Sequence, residues 1–347
     1  MKLVRVGIIA PSSKVPEVEF ELGLEVLREH GIEPVVHPQV LESHLFFAGT
    51  DESRAEALWN FAFQSNLPVL WAARGGYGSA RLLPLLAKWT KKKGKPPRKL
   101  LIGFSDSTAL LEWVRVNWGW RTLHAPMPGL RKFCLLSESE WRPLLAAIRG
   151  KKFSAPWEKQ SYEWLGQAAR ADLESSVVGG NLSVWASLVG TPYAGNARGK
   201  ILFLEDVDEN LYRVDRMVQQ LIASGAFKGV KAVILGNFVG CSDTVPRVLT
   251  CEAVQRVRER AGANAGAQKI ALAELISSPD ACDLAALRET GEANEVLAHI
   301  FEAVDRECGV PVLRELPVGH GPGRQPLPLG ARLRITRRGR VRVASWK

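Results

Sequence analysis

Three residue types that cooperate in nucleophilic catalysis stand at separate turns of this chain. Ser105 follows Gly103 on a short turn, Glu205 follows an apolar run, and His320 lies between two glycines. A serine hydroxyl becomes a nucleophile when a base takes its proton and a third group holds that base. The chain offers one candidate for each role in the order Ser, Glu, His, which predicts a hydrolase.

The turn that carries Ser105 lies between a predicted strand and a predicted helix. This is the geometry of a nucleophile elbow, which lifts the hydroxyl clear of the sheet. The segment departs from the pattern G-x-S-x-G because Ser107 replaces the second glycine. An alternative role for Ser105 is the N-cap of a helix that begins at Asp106.

A glycine-rich loop, Arg74-Gly75-Gly76-Tyr77-Gly78, also follows an apolar strand-like run. Glycines let the backbone turn tightly and aim N–H groups at a developing anion. A phosphate cradle is an alternative, although the loop matches neither G-x-x-x-x-G-K-[ST] nor the full G-x-G-x-x-G. Glycines that serve only the turn are a second alternative.

The candidate carboxylate and base each have a structural alternative. Glu205 ends a predicted strand, where open α/β sheets place functional groups, but acidic residues there often cap helices. His320 lies in a loop rich in glycine and proline that offers little else to explain it. The remaining histidines are His30, His37, His44, His124 and His299.

The composition indicates a globular enzyme-sized chain. Its 347 residues favour two domains, and 46% hydrophobic residues are ordinary for a soluble protein. The N-terminal apolar run is interrupted by Arg5 and is too short for a signal sequence, which favours the cytoplasm. Five widely spaced cysteines without C-x-x-C argue against a disulfide framework or a zinc site.

The net charge of +10 is concentrated at 88–99 and 332–347. Such basic surface attracts nucleic acid or acidic ligands. Neither stretch resembles a recognition helix or an aromatic stacking platform, so we interpret them as a solvated loop and a solvated edge strand.

Short apolar segments alternate along the chain with segments of helical periodicity. This alternation predicts a parallel sheet covered by helices on both faces. Strands are predicted at 3–10, 33–37, 69–73, 100–102, 175–178, 199–204, 230–235 and 311–316. Helices are predicted at 17–28, 51–64 (with Asp51 as N-cap), 80–89, 106–117, 210–223, 251–261, 269–275 and 293–307. The boundaries predicted are an N-terminal domain at 1–133, a connection at 134–172 and a C-terminal domain at 173–347. The last contains a mostly helical insert at 241–308 and a closing hairpin at 332–345.

Taken in order, several segments resemble the LD-carboxypeptidases of the S66 serine-peptidase family, which includes the microcin C immunity proteins. They are IIAPSS at 8–13, ARGGYG at 73–78, IGFSD at 102–106, GGNLS at 179–183, LEDV at 204–207, and PVGHG at 317–321 with PLG at 328–330. Each segment is short, but the ordered set covers nearly the whole chain.

The resemblance implies a flavodoxin-like, doubly wound N-terminal α/β domain and a C-terminal α/β domain with a swivelling β architecture. The active site would lie in the cleft between them. Ser105 would match the nucleophile, His320 the base and Glu205 its partner. The N–H groups of Gly76 and Asp106 would form the oxyanion hole.

The family's usual reaction releases terminal D-alanine from murein tetrapeptides across an L,D peptide bond, without a metal or cofactor. A homodimer with no nucleic-acid or membrane partner is also implied. Arg74 and Asn181 are our candidates for binding the substrate, since a guanidinium grips a carboxylate with two hydrogen bonds.

The chain departs from the family pattern at two places, and the second leaves the substrate open. Ala125 stands where the family has glycine, and the insert at 241–308 is longer than usual. One alternative function is hydrolysis of a peptidyl-nucleotide toxin, as in the immunity proteins. A non-catalytic binding protein with the same fold is another, against which the intact set of Ser105, Glu205 and His320 argues.

Overall fold

The computed structural model of the chain describes residues 3–167, 171–242, 291–321 and 323–346. In the first half strands and helices alternate as predicted. The elements are β1 (Val4–Ile9), α1 (Glu17–Glu29), β2 (Ile32–Val36), α2 (Asp51–Phe63), β3 (Val69–Ala72), α3 (Leu83–Lys93), β4 (Leu100–Gly103), α4 (Thr108–Trp118) and β5 (Arg121–His124). The strand β5 is absent from the sequence prediction. Thr50, and not Asp51, is the N-cap of α2, because its hydroxyl accepts the N–H of Ser53.

The first sheet has the order β11-β5-β4-β3-β1-β2, with β11 (Leu327–Leu329) antiparallel to β5 and the other strands parallel. Every residue of β3 and β4 is buried, which explains their uninterrupted apolar sequences. The chain runs outward from β1 to β2 and then returns to β3 on the other side. The sheet therefore has its topological switch point between β1 and β3, where open α/β sheets form their ligand crevice.

The second half builds another sheet. Its elements are α5 (Glu138–Ile148), β6 (Trp164–Leu165), β7 (Leu173–Asn181), α6 (Leu182–Ser187), β8 (Ile201–Val207), α7 (Leu211–Ala223), β9 (Ala232–Val239), α8 (Gly291–Cys308), β10 (Val312–Leu313), β12 (Arg332–Ile335) and β13 (Val341–Ser345). The strand order in this sheet is β13-β12-β7-β8-β9-β10-β6. Strands β7 to β10 are parallel, and the outer strands are antiparallel. The predicted α/β fold class and the closing hairpin are confirmed.

The two sheets share one hydrophobic core. Phe203 of β8 and Ile234 of β9 are fully buried in the same cluster as the strands of the first sheet. Strand β11 comes from the C-terminal part of the chain but completes the first sheet beside β5. The chain therefore crosses between the sheets more often than a single connection at 134–172 predicts, and the domain boundaries stay a prediction.

Part of the predicted insert lies outside the described residues. Helix α8 matches the helix predicted at 293–307, whereas those at 251–261 and 269–275, with Cys251 and Cys282, are not described. Cys134, Cys241 and Cys308 are free thiols. Within the described ranges, no helix combines the length and apolarity that crossing a bilayer requires. Nor do these residues contain a group of three or more metal-ligating side chains.

Candidate active site

Ser105 lies two residues after the carboxyl end of β4, at the start of a single 3₁₀ turn that leads into α4. Its backbone has φ of +57°, a conformation that costs energy in any residue with a Cβ. Such strain is typical of a nucleophile elbow. The alternative role as a helix N-cap is wrong, because α4 begins at Thr108 and its N-cap is Ser107.

The glycine loop that follows β3 lies against this serine. A Cβ on Gly75 would lie 3.1 Å from Ser105 Cβ and 3.2 Å from its Oγ. Gly76 has φ of +103°, which an L side chain rarely adopts. Glycine at both positions therefore lets the backbone of the loop approach the serine hydroxyl.

The side chain of Asp106 holds the serine turn and the glycine loop together. Its Oδ2 accepts hydrogen bonds from Ser12 Oγ at 2.6 Å and from Ser79 N at 2.8 Å, and its Oδ1 accepts one from Gly78 N at 3.2 Å. Asp106 is buried, so these bonds satisfy a carboxylate that has little access to water. Loops from β1, β3 and β4 are thereby tied at the switch point of the first sheet.

Two backbone donors remain available beside Ser105. Among the hydrogen bonds between described residues, none uses the N–H of Gly76 or the N–H of Asp106. The second of these groups stands at the start of the turn into α4, where the helix adds positive potential. The arrangement offers the donors that an oxyanion hole needs.

Glu205 and His320 form a close pair across the second sheet. Glu205 lies near the carboxyl end of β8, and its Oε2 is 2.7 Å from Nδ1 of His320. The carboxylate is fully buried, whereas the imidazole keeps 17% of its side-chain surface exposed. A helix-capping role for Glu205 is therefore wrong. Gly319 permits the approach, since a Cβ there would lie only 2.6 Å from Glu205 Oε2.

Burial and charge act against each other in this pair. Burial raises the pKa of Glu205, although the positive charge on His320 opposes that rise. Burial is the largest single influence on His320 and would lower its pKa, but the charge and hydrogen bond of Glu205, together with the charges of Asp206 and Asp208, outweigh burial and raise the pKa. An imidazole with a raised pKa is a stronger base, which suits proton abstraction from a hydroxyl.

The fold brings the turn of Ser105 against His320, but the two side chains share no hydrogen bond among the described residues. The ring of Phe104, the residue before Ser105, packs on the His320 imidazole with centroids 4.5 Å apart. Between the described residues, no hydrogen bond links Ser105 Oγ to His320. Catalytic hydrogen bonds commonly tighten only when the substrate is bound.

The two predicted substrate-binding residues differ in their surroundings. Arg74 donates from Nη1 to the carbonyl of Lys14 at 2.7 Å and remains partly exposed at the glycine loop. Asn181 is buried, donates from Nδ2 to Asp206 at 2.8 Å and caps α6 by accepting the N–H of Val184. Substrate binding by either residue stays a prediction, and the bonds of Asn181 favour a structural role.

Sequence reasoning missed two features that border the site. His124, at the end of β5, lies on the far side of Glu205, with Nε2 4.0 Å from Oε1. Phe46 and Tyr77 are each more than half exposed, with ring centroids 6.1 Å apart, and Tyr77 directly follows Gly76. Recognition of β5 as a strand beside β4 would have placed His124 at the same sheet edge as Ser105.

Comparison with known families agrees with this architecture. The model of the LD-carboxypeptidase N-terminal domain matches residues 6–125. The model of the LD-carboxypeptidase C-terminal domain matches residues 174–274 and 259–335. Both matches include the turns that carry the candidate residues.

Two curated relatives that bear the name of a carboxypeptidase match more than two thirds of this chain. A putative carboxypeptidase of Streptomyces coelicolor is 36% identical over 241 residues, covering 68% of this chain and 76% of the relative. The murein tetrapeptide carboxypeptidase of Pseudomonas aeruginosa is 32% identical over 257 residues, covering 73% of this chain and 81% of the relative.

Two solved structures share the fold over almost the full length of both chains. The muramoyltetrapeptide carboxypeptidase of Oxalobacter formigenes superposes with a TM-score of 0.68 at 24% identity, covering 99% of each chain. The microcin C7 self-immunity protein MccF superposes with a TM-score of 0.72 at 19% identity, covering 100% of this chain and 97% of the other. From the family matches and the relatives, the chain belongs to the LD-carboxypeptidase family S66 and is a peptidase of that type.

Proposed function

We propose that this protein is a serine LD-carboxypeptidase that releases terminal D-alanine from murein tetrapeptides. The observation that carries the proposal is the 2.7 Å contact between His320 and a fully buried Glu205, beside a serine on a strained turn. The relative from Pseudomonas aeruginosa bears the name of this activity. Side chains of the chain itself supply each catalytic role, so the proposal invokes no metal and no cofactor.

In the proposed mechanism His320 takes the proton of Ser105 as its Oγ attacks the scissile carbonyl carbon. Glu205 orients the imidazole through Nδ1 and stabilises the imidazolium that forms. The N–H groups of Gly76 and Asp106 donate to the developing oxyanion. His320 then protonates the amine of D-alanine, the bond breaks, and water hydrolyses the acyl-enzyme by the same steps.

A carboxypeptidase must also bind the terminal carboxylate of its substrate. Arg74 supports this role because it is partly exposed and belongs to the loop that carries Gly76. Its guanidinium would grip the carboxylate with two hydrogen bonds, which lysine cannot reproduce. Arg74→Lys should therefore raise KM much more than it lowers kcat.

The decisive experiment is mass-spectrometric turnover of murein tetrapeptides that contain diaminopimelate or lysine, with a metal chelator present. The proposal expects tripeptide and D-alanine from the wild type and neither from Ser105→Ala. Equal release by the two proteins would refute the assignment of Ser105. Failure of the wild type on both peptides would refute the murein substrate.

A second candidate is hydrolysis of a peptidyl-nucleotide, as expected of an immunity-type enzyme. The exposed rings of Phe46 and Tyr77 favour it, because aromatic rings beside a catalytic loop can stack on a nucleobase. MccF has been solved in complex with aspartyl sulfamoyl adenosine. Cleavage of that compound, with KM raised in Tyr77→Leu and unchanged in Leu135→Ala at another exposed apolar position, would favour this candidate.

We further propose that the protein acts in the cytoplasm as a homodimer and without a nucleic-acid or membrane partner. Light scattering after size exclusion distinguishes the 38.2 kDa chain from its dimer. The exclusion of nucleic acid would be contradicted if the protein bound DNA with an affinity that collapses as salt is added and showed no peptide turnover.

A further inference from the structure

His124 is enclosed between the two sheets. It ends β5, where it is in register with Gly103 of β4 and Leu327 of β11. Only 1% of its surface is exposed. The rings of Phe104 and Phe203 meet its imidazole edge-on, at centroid distances of 5.7 and 5.3 Å. The orientation of His124 is therefore set by packing from both sheets.

The polar atoms of this histidine face an equally unpartnered oxygen. Neither ring nitrogen of His124 has a hydrogen-bond partner in the described part of the chain, and the same is true of Glu205 Oε1. His124 Nε2 and Glu205 Oε1 are 4.0 Å apart. Buried polar atoms without partners are costly, so their juxtaposition favours a bond between them in the working enzyme.

The protonation state of His124 fits a donor role. Burial, assisted by repulsion from His320, lowers its pKa to about 3, so the imidazole is neutral at physiological pH. A neutral imidazole carries one N–H and can donate it to a carboxylate. The charged side chains Asp206 and Asp208, which also act on the pair, are acceptors and cannot replace this donor. The amide of Asn181 also favours the ionised form of Glu205, but its Nδ2 donates to Asp206 and leaves Glu205 Oε1 without a partner among the described residues.

We propose that His124 is a positioning residue, which donates Nε2–H to Glu205 Oε1 and so fixes the carboxylate that orients His320. The bond forms when the two side chains approach by about 1 Å, or through one bridging water. The inference deepens the proposed function, on which its catalytic consequence rests. It makes one contact between the first sheet and the second a condition for orienting the base.

The bond has a definite effect on the titration of the pair. The pair exists in two states: in one, Glu205 is ionised and His320 is neutral, and the other carries one additional proton. A hydrogen-bond donor to Glu205 stabilises the first state more than the second. Loss of the donor should therefore raise the apparent pKa of the pair. It should also release the carboxylate from its orientation, and a misplacement of about 1 Å can cost up to about a hundredfold in rate.

The test compares His124→Phe, which retains an aromatic ring but has no hydrogen-bond donor, with His124→Gln, which retains an N–H donor. NMR titration of the His320 imidazole needs no substrate and so is independent of the proposed activity. We expect an upward shift of its pKa in His124→Phe and a smaller shift in His124→Gln. With murein tetrapeptide, kcat should fall about ten- to a hundredfold in His124→Phe with KM little changed, and partly recover in His124→Gln.

An unchanged His320 pKa in folded His124→Phe would overturn the inference, as would equal losses of kcat in the two variants. If His124→Phe does not fold, His124→Leu takes its place in the same comparison. If the wild type cleaves no tetrapeptide but the two variants show the expected shifts of the His320 pKa, the proposed substrate is refuted and the role of His124 stays supported.

Discussion

A Cβ on Gly76 would overlap the side chain of Ser13, whose Oγ accepts the N–H of Tyr77 at 3.1 Å. The loop after β1 thus packs against the glycine loop after β3 at Gly76 and Tyr77. The N–H of Gly76 is thereby oriented by a residue more than sixty positions away in sequence.

Gly76→Ala should lower kcat strongly, because the added methyl group must displace Ser13 and with it the proposed oxyanion donor. The matched control is Gly94→Ala, at another glycine of positive φ that has no heavy atom near its Cβ position. Both variants carry backbone strain of about 1–3 kcal/mol, because a residue with a Cβ rarely adopts either conformation. Equal kcat in the two, after equal loss of stability by urea unfolding, would contradict the role of Gly76.

Ser105→Ala should lower turnover by roughly a thousandfold or more while leaving the fold intact, because the variant lacks the hydroxyl that the proposed mechanism uses as the nucleophile. Ser107→Ala is the control from the same turn. Ser107 is buried, and within the part of the chain that the structure describes its Oγ has just one hydrogen-bond partner, the distant Sδ of Met127 at 3.8 Å. Comparable turnover losses in the two variants would argue that the damage is structural.

Glu205→Gln should lower kcat by roughly 10²- to 10⁴-fold, since the amide cannot stabilise the imidazolium form of His320. In the wild type the carboxylate raises the pKa of His320, so kcat/KM should fall as pH decreases through a midpoint above about 6.5. That midpoint should move to lower pH in the variant. Glu209→Gln, at a half-buried carboxylate four residues further along the chain, should leave the profile unchanged.

His124→Phe should flatten the dependence of folding stability on pH. The unfolded chain binds a proton at His124 below about pH 6.5, whereas the folded chain does so only near pH 3. As the pH falls from about 6.5 to about 3, this group should therefore lower the unfolding free energy of the wild type by up to about 1.4 kcal/mol per pH unit. Urea unfolding at several pH values measures the slope, and equal slopes in both proteins would contradict the burial of a neutral His124.

The sequence predicted the elements that depend on local patterns. Alternating apolar runs and helical periodicity indicated most strands and helices of the first sheet within a few residues. The turn at Ser105 and the glycine loop were recognised for the same reason, because glycine and strand-to-helix boundaries leave local signals. The order of Ser105, Glu205 and His320 was also visible, and with it the family.

Other features required the folded chain because they join residues distant in sequence. The pairing of Glu205 with His320 spans 115 positions, and strand β11 crosses back to complete the first sheet. Short β5 carries no pattern that distinguishes it from a loop, so His124 was not placed beside Glu205. Chain composition and periodicity thus determined the layers of this protein. Tertiary packing alone decided which buried polar groups share one carboxylate, because such contacts are selected by burial and not by spacing.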